Sequence, residues 1–223
     1  METVRITHFS DALCVWAYIS QMRCDELVAQ FHDRVSIDYR YVQVFGSVRA
    51  KMTAQWSERG GIQGYAEHVR EIASGFEHVS IHPEVWLKTT PESSMPSHLF
   101  LCAVRELEVR GDADLGSQAR AAWAVREAFF RECADIAVRS VLLEVGERAG
   151  VPAARVEPLL DGGIAHAALS ADLGEVRDHT VRASPTLMLD EDRQRLTGNV
   201  GYRVIEANVR ELLEKPTGQQ SWC

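Results

Sequence analysis

The chain has 223 residues, a net charge of −8, 46% hydrophobic content and five cysteines. That length and apolar content suit one large domain, or a domain carrying a substantial insertion, around its own core. The acidic balance, with no run of Lys or Arg, argues against nucleic acid or an anionic membrane as partner and favours small, thiol-bearing or neutral substrates.

The sequence becomes strand-like at Thr3 without a basic or apolar leader, and no segment reaches the length of a membrane span, so a cytoplasmic chain is expected. Cys14, Cys24, Cys102, Cys133 and Cys223 are odd in number and widely spaced, unlike a disulfide framework or paired metal knuckles. Mostly free thiols in a reducing compartment are expected.

In chain order, Val4, Ile6 and Phe9 form a short apolar strand, followed by Asp11-Ala12-Leu13-Cys14-Val15-Trp16-Ala17-Tyr18 at the entrance to a helix. A thiol at a helix N-terminus meets unpaired amides and the positive end of the helix dipole, which can lower its pKa from about 8.5 to between about 3.5 and 7.5. Cys14 is therefore the candidate nucleophile. Cys24, Leu27, Val28 and Phe31 make a helical stripe, and Val35, Ile37, Tyr39 and Tyr41 alternate with Ser36, Asp38 and Arg40 as a strand. Strand, helix, strand predicts a right-handed parallel crossover.

From about Val48 to Arg182 strand signals vanish and helical stripes succeed one another: Leu99, Cys102, Ala103, Glu106 and Leu107, then Leu115, Ala119, Ala122 and Phe129. Gly111 and Gly150 mark helix ends, and Asp135 and Pro152 suit helix starts. Arg105, Arg110, Arg120, Arg126 and Arg131 are interleaved with Glu and read as solvated faces. His78 and His82 have a metal-compatible spacing, but Pro83 interrupts any helix there and no third ligand is evident, so no metal is expected.

Thr186 to Leu189 reads as a strand that turns at Asp190-Glu191-Asp192 and returns through Arg193 to Leu196 as an antiparallel hairpin. A last helix carries Ile205, Asn208, Val209, Leu212 and Leu213, with Gly198-Asn199 as a plausible cap, and the tail from Lys215 to Cys223 is expected to fray.

The thiol turn resembles the D-x-x-C-P-W-C-Y active-site turn of the DsbA-like branch of the thioredoxin superfamily. Asp11, Cys14, Trp16 and Tyr18 match; Val15 replaces the proline and Ala17 the second cysteine. Val181 to Leu189 is similar to the family's X-Pro-Thr segment, and Ser93 to Leu99, Phe129-Phe130 and Asp135-Ile136 are similar to its helical insertion. The resemblance implies an α/β, thioredoxin-like fold with a large all-helical insertion after the second strand. Residues 1–47 and 183–223 would form the thioredoxin-like part and 48–182 the insertion.

It also implies that Pro185 is cis and faces the sulfur, leaving the Ser184 backbone free to hold substrate, with Trp16 and Tyr18 flanking the thiol. Asn199 could accept a glutathione carboxylate beside backbone amides. His8 could serve Cys14 as a base, but a hydrogen-bonded core histidine is the favoured reading. Without a cysteine at Ala17, and with Cys24 about 15 Å along the helix, a mixed disulfide at Cys14 needs an external thiol.

The expected activity is thus a monothiol thiol–disulfide oxidoreductase acting on a protein or small-molecule thiol or disulfide. Glutathione is its cosubstrate, and no cofactor is held tightly. Two alternatives share the layout: a glutathione-dependent transferase or isomerase of the kappa-class/2-hydroxychromene-2-carboxylate isomerase type, and a redox-inactive protein binding in the same cleft. A homodimer, with Cys223 pairing between chains, stays open.

Overall fold

In the computed structural model, which describes residues 3–214, four strands form one mixed sheet in the order β2-β1-β3-β4. Strand β1 (Val4–Ser10) runs into helix α1 (Val15–Phe31), which returns the chain to β2 (Val35–Tyr41), parallel to β1. After seven helices, β3 (Thr186–Leu189) pairs antiparallel with β1, β4 (Gln194–Thr197) pairs antiparallel with β3, and α9 (Tyr202–Glu214) follows. This is an α/β fold with a large all-helical insertion after the second strand, as the sequence leads one to expect.

Alternation along β1 divides its side chains between two layers. Val4 and Ile6 pack with Cys24, Leu27 and Phe31 of α1 and with Ile205, Val209, Leu212 and Leu213 of α9. Phe9 faces the other side, with Val42, Val181 and Met188. Val28, expected on the buried stripe of α1, is exposed, because the helix faces the sheet through Gln21, Cys24, Leu27 and Phe31. The turn from β3 to β4 places Asp190, Glu191 and Asp192 all at positive φ, and its rim is tied by Arg195 to Asp192.

The intervening helices are α2 (Val48–Trp56), α3 (Gly61–Ser74), α4 (Met95–Arg110), α5 (Ser117–Phe130), α6 (Arg139–Arg148), α7 (Ala153–Asp161) and α8 (Ile164–Asp178). Gly111, at φ +74, ends α4 in the left-handed region, and Pro152 caps α7. Asp135 does not start a helix: its Oδ1 accepts from the Ala137 amide in a local turn, and α6 begins only at Arg139. Leu115 lies outside α5 and is 91% exposed, so it belongs to no core stripe. One apolar cluster runs without interruption from Leu13, Val15 and Ile19, through Tyr41 and Phe45, into Phe100, Ala103, Phe129, Val145 and Leu169.

Two arginines expected on solvated faces are inside. Arg105, only 11% exposed, forks onto Asp172 with two bonds of 2.9 Å and also donates to the Tyr39 carbonyl at 2.8 Å. Arg126 is 1% exposed and donates to Gln21 Oε1 at 2.9 Å and Ser10 Oγ at 2.8 Å. Arg110 and Arg131 do form the surface pairs that the Glu spacing suggests, with Glu106 and Glu127, but α4 and α5 are covered on more than one side, and Arg105 and Arg126 reach polar groups at the sheet instead. At the free margin of β2, Arg105 and Gln118 donate to the Tyr39 carbonyl while Asp172 accepts from the Tyr41 amide.

The last helix shows the expected stripe, with Ile205, Val209, Leu212 and Leu213 buried; Asn208 instead donates to the Val204 carbonyl. The tail from Lys215, including Cys223, lies outside the described residues. Among the described residues no helix is long and apolar enough to cross a membrane.

Candidate functional site

The chain leaves β1 through a turn built on Asp11, whose side chain is wholly buried. Its Oδ1 accepts from the Leu13 amide at 2.9 Å, and its Oδ2 accepts from the Phe45 amide at 2.7 Å and the Ser94 hydroxyl at 2.9 Å. A buried carboxylate is tolerable only when its lone pairs are met in this way. The Asp11 carbonyl then accepts from the Cys14 amide at 3.1 Å, which sets Cys14 as the cap residue of α1.

His98, also wholly buried, supports the turn from α4: its Nε2 accepts from the Ala12 amide at 3.1 Å, and its ring stacks on Tyr41 at 5.0 Å. Because Nε2 accepts, it is the unprotonated nitrogen, so its 3.7 Å approach to Asp11 Oδ1 is proximity and not an ion pair.

Cys14 Sγ lies 3.2 Å from the Ser184 carbonyl, and the Ser184 hydroxyl accepts from the Asp11 amide at 2.9 Å. The Ser184–Pro185 peptide is cis. One residue thus clamps the thiol turn twice. The Cys14 side chain is 7% exposed, and its burial raises the thiol above its ordinary pKa. The hydrogen bond to Ser184 and the amides of Ala17 and Trp16 pull the other way, while the Asp11 charge adds to the rise. The helix-end amides are present as the sequence leads one to expect, but in the resting protein desolvation outweighs them.

The other residues divide. Ser184 sits against Cys14 and Pro185 follows it through the cis bond, and Trp16, half-buried, meets Phe76 edge-on at 6.1 Å. Tyr18 does not line the cleft: it is buried, stacked on Phe130 at 5.1 Å with Trp123 at 5.0 Å on its other side, because α1 turns it into the insertion. Asn199 is committed elsewhere, its Oδ1 accepting from Arg23 at 2.6 Å.

His8 is a core residue facing α1 and α9, edge-on to Tyr39 at 5.3 Å; burial first and Arg126 second lower its pKa to about 3. It is neutral, yet neither ring nitrogen has a partner within the protein, so it is not the hydrogen-bonded core histidine that the sequence suggests. Cys24 lies in the same layer, its thiol pushed up to about 12 by burial, and Cys102 is buried beside Asp172.

His78 and His82 do not lie on a helix: the former bonds the Ile19 carbonyl at 2.9 Å and the latter accepts from the Glu84 amide at 3.1 Å. No group of three or more His, Cys, Asp or Glu able to hold a metal occurs among the described residues. Sequence reasoning passed over Ser94, His98 and Phe45. The first two belong to the motif-like segment opening α4, and a buried Asp in the turn demands such donors.

The model of the DSBA-like thioredoxin domain matches residues 5–210. The chain belongs to that family. No curated protein matches it. Among solved structures it is similar to a "probable DsbA oxidoreductase" from Streptomyces coelicolor, at 19% identity and a TM-score of 0.72 over 98% of this chain and 93% of that one. It is also similar to the cytosolic disulfide reductase DsbM from Pseudomonas aeruginosa with GSH, at 18% identity and 0.64 over 95% and 98%. A third is 2-hydroxychromene-2-carboxylate isomerase, at 14% identity and 0.62 over 97% and 100%. At such identities the likeness is one of fold.

Proposed function

We propose that this DSBA-like protein is a thiol–disulfide oxidoreductase of monothiol type. The single observation behind this reading is the placement of Cys14 at the N-terminus of α1 with its Sγ 3.2 Å from the Ser184 carbonyl. Substrate sulfur arriving there displaces water and meets a thiol whose anion the helix-end amides can stabilise. After losing its proton to solvent, Cys14 attacks one sulfur of a disulfide, forms a mixed disulfide and expels the other half as thiolate. Ala17 offers no thiol, and Cys24 is buried in the layer beneath the sheet, so glutathione thiolate attacks the substrate sulfur and regenerates Cys14. Ser184 and Pro185 hold the incoming chain or thiol. Reliance on an external thiol suits a reducing, cytoplasmic setting, and the similar DsbM is itself described as cytosolic.

The test is mass spectrometry after exposure to oxidised glutathione. An adduct on residue 14, absent in Cys14→Ser, is expected; an unmodified residue 14 overturns the reading.

A second reading rests on the burial of Cys14. Held as a thiol, it can donate a hydrogen bond to a bound glutathione thiolate, the role a transferase or isomerase needs, and the fold likeness to 2-hydroxychromene-2-carboxylate isomerase accords with it. Conjugation of chlorodinitrobenzene with glutathione, without turnover of a disulfide, would place this reading first.

A further inference from the structure

Lys51 lies near the start of α2, half-buried. Its ammonium donates to Gln55 Oε1 at 3.0 Å and sits 4.8 Å from the centroid of the Phe45 ring. Among the described residues it has no carboxylate partner, whereas Arg49 on the same helix reaches Glu92 and Lys88 reaches Glu84. An ammonium partly withdrawn from water against an aromatic face is poorly compensated by one amide oxygen.

The ring beneath it is fixed. Phe45 is tied through its amide to Asp11 Oδ2 at 2.7 Å, and Asp11 forms the turn that presents Cys14. Lys51 thus meets the thiol turn through the Phe45 ring, and both Cys14 and Asp11 bear on its charge. Asp11 does not neutralise it, since Leu13, Phe45 and Ser94 already occupy that carboxylate. Among the described residues the ammonium thus stands by the thiol turn without an ion-pair contact.

We propose that Lys51 is the anion-holding residue of this cleft: it receives a carboxylate of glutathione, or of the glutathionyl half of a mixed disulfide, and so brings the ligand's sulfur to Cys14. The inference rests on glutathione being the cosubstrate of the proposed activity. An ammonium is a point charge without fork geometry, so attraction to a carboxylate should survive replacement by Arg and fail with an uncharged side chain of similar length.

The experiment is calorimetric titration of the full chain with S-methylglutathione, which carries the carboxylates but cannot exchange disulfides, and with its diethyl ester. Lys51→Met should weaken binding of the acid about tenfold and Lys51→Arg no more than about threefold, and the ester should bind the unaltered protein as weakly as the acid binds Lys51→Met. Circular dichroism checks that each variant is folded, with Lys51→Gln replacing Lys51→Met if the latter is not. Equal affinity of the unaltered and uncharged proteins for the acid, equal affinity of the unaltered protein for acid and ester, or no binding of the acid at millimolar concentration overturns the proposal. Charge-dependent binding without a Cys14 adduct from oxidised glutathione would instead discard the redox activity and leave Lys51 in its role.

Discussion

Two buried carboxylates, Asp11 and Asp172, are kept in the interior by opposite means. Asp172 is gripped by cations, Arg105 through two bonds of 2.9 Å and Arg40 at 3.4 Å, and it accepts from the Tyr41 amide. Asp11 has no cation in contact and is satisfied by two amides and a hydroxyl. The first arrangement locks α4 and α8 to the margin of the sheet, while the second shapes a turn and leaves its charge uncancelled beside a thiol. A buried charge that serves packing is neutralised; one that serves a site is solvated by dipoles and still felt by its neighbours.

The largest effect should come from breaking the cationic grip. Asp172→Ala leaves Arg105 without a carboxylate at a nearly buried position, while Arg40 keeps Glu175, and should lower unfolding free energy by about 3–5 kcal/mol in a denaturant titration, with the alkylation rate of Cys14 unchanged in the folded state. Asp11→Ala strands two amides and a hydroxyl and should cost about 2–3 kcal/mol. The milder Asp11→Asn removes the charge that raises the Cys14 pKa, so the midpoint of its pH profile for iodoacetamide alkylation should move down. An unmoved midpoint would show that Asp11 is structural only, like Asp172.

The acid limb of stability, an effect seen only away from neutral pH, gives a separate check. His8 is neutral in the fold, its pKa lowered from 6.5 to about 3. The unfolded chain takes up a proton first as pH falls, so His8 contributes stability above about pH 6.5 that is lost towards pH 3, at up to about 1.4 kcal/mol per pH unit. His8→Leu should flatten that part of a stability-versus-pH curve. Smallest of all, Leu115→Ser, at the exposed rim of the crevice holding Asp172, should change stability by less than about 0.5 kcal/mol.

The strands, the crossover, the helical insertion and the meeting of Cys14 with Ser184 ahead of a cis proline could be read from the chain because each has a local signature: period-two alternation, i, i+4 stripes, or a short motif. What stayed hidden depended on contacts distant in sequence. His98 meets Ala12 across 86 positions, and Arg105 meets Asp172 across 67. Nothing near Arg126 announces that its helix is covered on the arginine side, and nothing near Tyr18 announces Phe130. The acidity expected of Cys14 is overturned: the helix end is there, but desolvation by the insertion packed around it raises the thiol, and no local pattern encodes that packing.

The side chains at the outer margin of β2 also bear on how the sheet could grow. An additional strand from another molecule must find unpaired carbonyls and amides along an edge. There, the Tyr39 carbonyl is already occupied by Arg105 and Gln118, and the Tyr41 amide by Asp172. A guanidinium, a carboxamide and a carboxylate imitate part of a missing neighbour strand, so edge-to-edge polymerisation is blocked on this side without a proline or a bulge.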